Sequence, residues 1–399
     1  MPSRNPHFAK FHSGYLFPEI TKRKNAFLQE EPSAHLIYLG IGDTTSPLPE
    51  VIVKAVKEEA HALGTTQGYT GYGPEQGSFL LRQAIADQFY QGNISPEEIF
   101  LSDGSKCDIG RLQILFGKQS RIAVQDPTYP VYVDTAVGMG ISQEYAPSSQ
   151  HYAGITYMKC TPENHFFPDL TQLPDLDLLF FCSPNNPTGA VASYKQLQEL
   201  IAVAKQKNAF LIFDSAYAAF IQDPHLPKSI YEIPGAKDVA IELSSFSKIV
   251  GFTGVRLGWS VVPKELLFSG GESVHKDWNR LHSTYFNGAS NLAQAGGLAA
   301  LSKEGITAMQ KLCMEYLENA SLLKNCLQSL GYPVFGGEHI PYLFVDVRPK
   351  TSWAAFEEFL HTYHLVTTPG SGFGPAGEGF LRFSAFAKRS FILEAIGRL

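Results

Sequence analysis

A chain of 399 residues, 44% hydrophobic and 18% charged, has the make-up of an ordinary globular protein, long enough to bury a large core and divide into two domains. With 32 basic against 38 acidic residues its net charge is −6, which argues against a nucleic-acid surface. Cys107, Cys160, Cys182, Cys313 and Cys326 are dispersed with no C-x-x-C pair, and the histidines form no H-E-x-x-H. Reduced thiols in a cytoplasmic setting are therefore expected, rather than a disulfide frame or a zinc site.

The first residues lack the apolar core of a signal peptide. Ser102-Asp-Gly-Ser-Lys-Cys-Asp-Ile-Gly-Arg-Leu112 passes from a turn into an amphipathic helix. Gly104 allows close approach, and the amides of Ser105 and Lys106 would sit at a helix start, where unpaired N–H groups can hold an anion. Arg121 to Val124 reads as a strand, and Tyr129 follows it between two prolines, either packed in its loop or free to stack on a flat ligand. Leu178-Leu-Phe-Phe-Cys182 is a second buried strand. The turn after it, Ser183-Pro-Asn-Asn-Pro-Thr-Gly189, is stiffened by two prolines, so Asn185 could present its amide to a ligand or simply close the turn.

A helix should then start at Ser193, with Gln196 completing a capping box, and face the sheet with Leu197, Leu200, Ile201 and Ala204. The apolar run Ala209-Phe-Leu-Ile-Phe213 predicts a parallel strand that ends at Asp214. Functional groups of open α/β sheets gather beyond such strand ends. Asp214 could pair with a protonated ring nitrogen and Tyr217 could donate to a phenolic oxygen, although an aspartate there also serves as a turn former. The richest stretch is Ser244 to Trp259. Ser245, Ser247 and Arg256 can grip a phosphate while the Lys248 amine reaches an aldehyde on the same small molecule.

Two segments invite misreading. Leu281 to Ser302 carries no Lys, Arg, Asp or Glu, but Ser, Thr, Asn, Gln and Gly interrupt it too often for a membrane span. Gly372-Phe-Gly-Pro-Ala-Gly377 satisfies G-x-G-x-x-G yet precedes a strand, Phe380 to Phe386, instead of opening a helix, so a dinucleotide site is not expected.

Together these residues resemble the fold-type I pyridoxal-phosphate aminotransferases, over nearly the whole chain from Tyr15 to Arg382. Within them the chain is most similar to the LL-diaminopimelate aminotransferase family. The narrow features are Gly71-Tyr-Gly-Pro-Glu-Gln-Gly77, Ser102 to Arg111, Tyr231-Glu-Ile-Pro-Gly235 and Thr284-Tyr-Phe-Asn-Gly-Ala-Ser-Asn291. The resemblance implies an α/β fold: a large domain, 46–295, with a mostly parallel sheet flanked by helices, and a small α/β domain from both chain ends, 1–45 and 296–399. It implies pyridoxal 5′-phosphate as cofactor, with Lys248, Asp214 and Tyr217 catalytic. It also implies a homodimer with shared active sites, in which Tyr72 and Glu75 come from the neighbouring subunit. Arg382 would fork onto the substrate α-carboxylate, and Tyr15, Gly42, Lys106 and Asn287 match other family contacts. The expected reaction joins LL-2,6-diaminopimelate and 2-oxoglutarate to tetrahydrodipicolinate and glutamate. The alternatives are an aromatic or aspartate-type aminotransferase, a carbon–sulfur lyase on the same scaffold, or a non-catalytic regulator that keeps the fold.

Overall fold

The computed structural model describes residues 1–11 and 16–399, so Tyr15 lies outside the described residues. Its central sheet has seven strands: β1 (Ile99–Ser102), β2 (Ile122–Asp126), β3 (Ile155–Lys159), β4 (Leu178–Cys182), β5 (Phe210–Asp214), β6 (Ala240–Ser245) and β7 (Gly258–Val261). They lie in the order β1-β7-β6-β5-β4-β2-β3. All neighbours run parallel except β7, which is antiparallel to both β1 and β6.

The apolar runs in β4 and β5 follow from burial on both faces. Two hydrophobic cores sandwich the sheet: Leu179, Phe181, Leu211 and Phe213 point into one, Leu178, Phe180 and Ile212 into the other. The helix Tyr194–Lys207 begins as its sequence predicts. Ser193 Oγ accepts from the Gln196 amide, Gln196 Oε1 accepts from the Ser193 N–H, and Leu197, Leu200, Ile201 and Ala204 are buried.

A second sheet comprises β8 (Val334–Gly336), β9 (Tyr342–Asp346), β10 (Thr368–Pro369) and β11 (Phe380–Ser384), in the antiparallel order β8-β9-β11-β10. Its core combines residues near the start of the chain, such as Phe27, Ile37 and Leu39, with Leu343, Phe359 and Leu381. The helix Lys303–Ser329 links the two cores, with Leu312 and Tyr316 buried in the first and Leu323 and Leu327 in the second. The charge-free stretch from Leu281 resolves into two helices, Val274–Tyr285 and Asn291–Ala300, broken where Asn287 and Gly288 take positive φ. Among the described residues no helix is long and apolar enough to cross a membrane. The G-x-G-x-x-G stretch forms two 3-10 turns before β11.

Candidate active site

Strand register brings the chemistry to one edge. Cys182 pairs with Asp214, Asp214 with Leu243, and Gly258 lies between Ser245 and Ser102. The carboxyl ends of β1, β4, β5 and β6 therefore meet the start of antiparallel β7. A cavity of about 360 Å³ opens there, closed on its other side by Tyr342 of β9 and Arg382 of β11. This is the location where open α/β sheets bind ligands.

Asp214 stands buried at the end of β5. Its Oδ2 accepts from Tyr132 Oη at 2.7 Å and its Oδ1 from the Ala216 amide at 3.1 Å. Burial pushes its carboxyl above the usual range, and these two donors oppose that shift. Such a carboxylate gains from a cationic partner in the cavity. Nothing in the sequence around Tyr132 marks it for this contact, and it is held by stacking on Phe180 at 5.3 Å.

A cluster of donors occupies another wall. Ser245 Oγ donates to Ser247 Oγ at 2.8 Å and accepts from the Ser247 amide at 3.0 Å. Arg256 Nη1 reaches Ser247 Oγ at 3.5 Å and the Thr253 carbonyl at 3.2 Å. The helix Ser105–Phe116 starts beside them, preceded by Gly104 at φ +118°. A Cβ on Gly104 would collide with the Arg256 guanidinium, and one on Gly258 would lie 2.9 Å from the Ser105 amide nitrogen. The two glycines thus let strand, helix start and guanidinium converge. Hydroxyls, a guanidinium and the amides of a helix start are the donors that a phosphate cradle needs.

Lys248 follows on the short helix Phe246–Ile249, where its Nζ donates to the Gly42 carbonyl. Gly42 is needed there because any Cβ would strike Tyr342 Oη. That hydroxyl lies 3.1 Å from Tyr217 Oη, so a side chain of the second sheet supports one from β5's exit loop. Arg382 is buried between the rings of Tyr342 (4.3 Å) and Phe373 (4.7 Å). It donates to Asn186 Oδ1 at 2.6 Å and the Gly40 carbonyl at 2.5 Å, while its Nε makes no hydrogen bond among the described residues. A planar fork stacked between aromatics is prepared for a carboxylate.

Of the residues singled out from sequence, Gly42, Ser105, Lys106, Tyr129, Asp214, Tyr217, Ser245, Ser247, Lys248, Arg256 and Arg382 line this one cavity. Asn185 does not. Its amide donates to Gln125 at 3.1 Å and its carbonyl oxygen accepts from Thr188, so it closes the turn. The neighbouring Asn186 faces the cavity instead. Consecutive residues of a turn point in different directions, and composition alone does not say which points inward. Tyr72, Glu75 and Asn287 also lie elsewhere in the chain: all three are exposed, Tyr72 at 92%. Their loops touch, with Asn291 donating to Thr70 at 2.9 Å and Gly288 packed beneath Pro74 and Glu75.

A donor set with a phosphate cradle, a buried carboxylate, a lysine and an arginine fork fits pyridoxal phosphate with an amino-acid substrate. The model for class I and II aminotransferases matches residues 34–391, and the chain belongs to that family of pyridoxal-phosphate enzymes. It is 59% identical over its full length to the LL-diaminopimelate aminotransferase of Protochlamydia amoebophila, covering 97% of that protein. Over 99% of its length it is 54% identical to the chloroplastic LL-diaminopimelate aminotransferase of Arabidopsis thaliana, of which it covers 86%. The solved structure of the L,L-diaminopimelate aminotransferase from Chlamydomonas reinhardtii superposes with a TM-score of 0.96 at 53% identity, covering all of this chain and 98% of that one.

Proposed function

We propose that this aminotransferase moves an amino group between LL-2,6-diaminopimelate and 2-oxoglutarate, giving tetrahydrodipicolinate and glutamate. The convergence of Lys248, Asp214, Arg256 and Arg382 on one cavity carries the reaction class. The choice of substrate is supported by full-length likeness to relatives bearing that name. When bound, pyridoxal phosphate supplies an aldehyde and an electron-accepting ring. Ser245, Ser247, Arg256 and the amides at Ser105 and Lys106 hold its phosphate. Asp214 would hold a proton at the ring nitrogen, Tyr217, with Tyr342 behind it, would donate to the phenolic oxygen, and Tyr129 would pack against the ring.

Arg382, oriented by Asn186, binds the α-carboxylate and so aims the Cα–H at Lys248, whose free amine takes and returns that proton. Lys248 would also be the covalent attachment point. The distal ammonium of the substrate needs an acidic partner, and Glu75 supplies it; Asn287 stands in the loop beside it. Because Tyr72, Glu75 and Asn287 are exposed and absent from their own chain's cavity, we read them as lent across a homodimer interface. The two sheets then act as a large domain, 46–295, and a small one from 1–45 and 296–399. Five free cysteines suit a reducing cytoplasm.

The test is direct. Purified holoenzyme given 2-oxoglutarate should make glutamate faster with LL-diaminopimelate than with aspartate, tyrosine or the meso isomer. Borohydride reduction and peptide mapping should fix the cofactor's mass on Lys248. Faster turnover of aspartate or tyrosine would replace the substrate assignment, and a label elsewhere would remove Lys248 from its role.

A further inference from the structure

His282, on the helix Val274–Tyr285, is fully buried, and among the described residues neither of its ring nitrogens makes a hydrogen bond. Its ring is caged by Trp278 at 4.6 Å, Phe100 at 5.5 Å and Phe286 at 5.6 Å. Phenylalanine would fill that cage without stripping water from two nitrogens, so packing alone does not account for an imidazole. Two polar groups do face it. Asp108 Oδ1 lies 3.7 Å from Nε2, and the backbone carbonyl of Glu75 is turned toward the ring.

Asp108 is itself fully buried. One oxygen accepts from Arg111 at 3.0 Å and the other makes no hydrogen bond among the described residues. Burial lifts its carboxyl to about 7 against the pull of Arg111, while burial and the nearby Arg111 lower His282 to about 3. The imidazole is therefore neutral near pH 7, with one donor and one acceptor to place.

What surrounds this pair gives it meaning. Asp108 belongs to the helix whose first residues, Ser105 and Lys106, line the cavity. The His282 carbonyl accepts from the amides of Phe286 (3.0 Å) and Asn287 (2.8 Å), the latter at φ +68°. A Cβ on Gly288 would lie 3.2 Å from the Pro74 carbonyl and 3.7 Å from Glu75 Cα. The ring thus stands between the cofactor helix and the two loops that bear Glu75 and Asn287.

We propose that His282 is a positioning residue for substrate selection, bridging the Asp108 carboxyl and the Glu75 carbonyl to fix where Glu75 and Asn287 stand. Nε2 faces the Asp108 carboxyl, and the ring also faces the Glu75 carbonyl. This rests on the reading of Glu75 as the acidic partner of the substrate's distal ammonium.

The experiment compares wild-type holoenzyme with His282→Phe, His282→Gln and Glu75→Gln. His282→Phe should keep or raise Tm and leave the half-reaction with glutamate within about twofold. It should raise KM for LL-diaminopimelate roughly tenfold with a smaller change in kcat, the scale of a displaced polar contact. Amide exchange should quicken across 71–77 and 284–291 and nowhere else. His282→Gln, which retains a donor and an acceptor, should recover part of the KM, and it carries the comparison if the Phe variant does not fold. Wild-type KM and exchange in His282→Phe, alongside a damaged Glu75→Gln, would reduce His282 to packing and overturn the inference. So would equal losses on both substrates. If Glu75→Gln itself spares diaminopimelate, the reading of that carboxylate fails first and takes this one with it.

Discussion

Glu242 lies buried in β6, three residues before Ser245, and accepts four hydrogen bonds. Tyr90 Oη at 2.9 Å and Ser215 Oγ at 3.0 Å reach Oε1, while Ser229 Oγ at 2.6 Å and the Ile230 amide at 3.0 Å reach Oε2. Ser215 directly follows Asp214, so this carboxyl braces the floor of the cavity from behind. Burial outweighs those donors and raises its pKa to about 7. A folded-state value above the unfolded one means that the folded chain binds more protons between pH 4.5 and 7. The stability Glu242 contributes is then complete below the unfolded pKa and lost as pH rises through about 7, at most about 3 kcal/mol. Glu242→Gln keeps an acceptor for the Ile230 amide and lets the rotatable hydroxyls turn to its NH₂ group. Its Tm advantage over wild type should therefore grow from about pH 5 to about pH 8. Parallel Tm curves would show that the carboxyl does not titrate in that window.

At the scale of elements, the phosphate cradle depends on how closely a strand, a loop and a helix start can approach. Gly104→Ala adds a Cβ that meets the Arg256 guanidinium and forces alanine into φ +118°. It should weaken pyridoxal-phosphate retention at least about tenfold, read as the dissociation constant in dialysis, while the helix it precedes survives. Unchanged retention would mean that Arg256 is not part of the phosphate site. The cradle was legible in sequence because it is local: Ser245, Ser247, Lys248 and Arg256 sit within one strand exit, and Gly104 and Ser105 open one helix. The buried strands were legible for a similar reason, since β4 and β5 are apolar on both faces and their carboxyl ends open onto the cavity. What stayed hidden depends on contacts between distant segments. Tyr132 meets Asp214 across 82 positions and Tyr217 meets Tyr342 across 125, and no periodicity announces either pair. The choice between Asn185 and Asn186 is hidden at the opposite extreme, because one peptide unit decides it.

At the scale of the whole molecule, the chain's own cavity holds Lys248, Asp214, Arg256 and Arg382, while Tyr72 stands 92% exposed on a loop outside it. Two copies related by a twofold axis complete each other if each lends that loop to the other's cavity. This separates two arrangements by complementation. Lys248→Ala and Tyr72→Ala are each expected to cripple a homodimer. In a hybrid of the two, one site combines both lesions, and the other joins an intact Lys248 to an intact Tyr72. Unfolding and refolding an equal mixture should therefore restore about a quarter of wild-type activity, since half of the dimers are hybrids with one good site each. If Tyr72 instead served its own chain, every site in the hybrid would still carry one lesion. Activity would then stay at the mean of the two variants. Recovery must also require subunit exchange: simply combining the folded variants, before any dissociation, should leave the rate low.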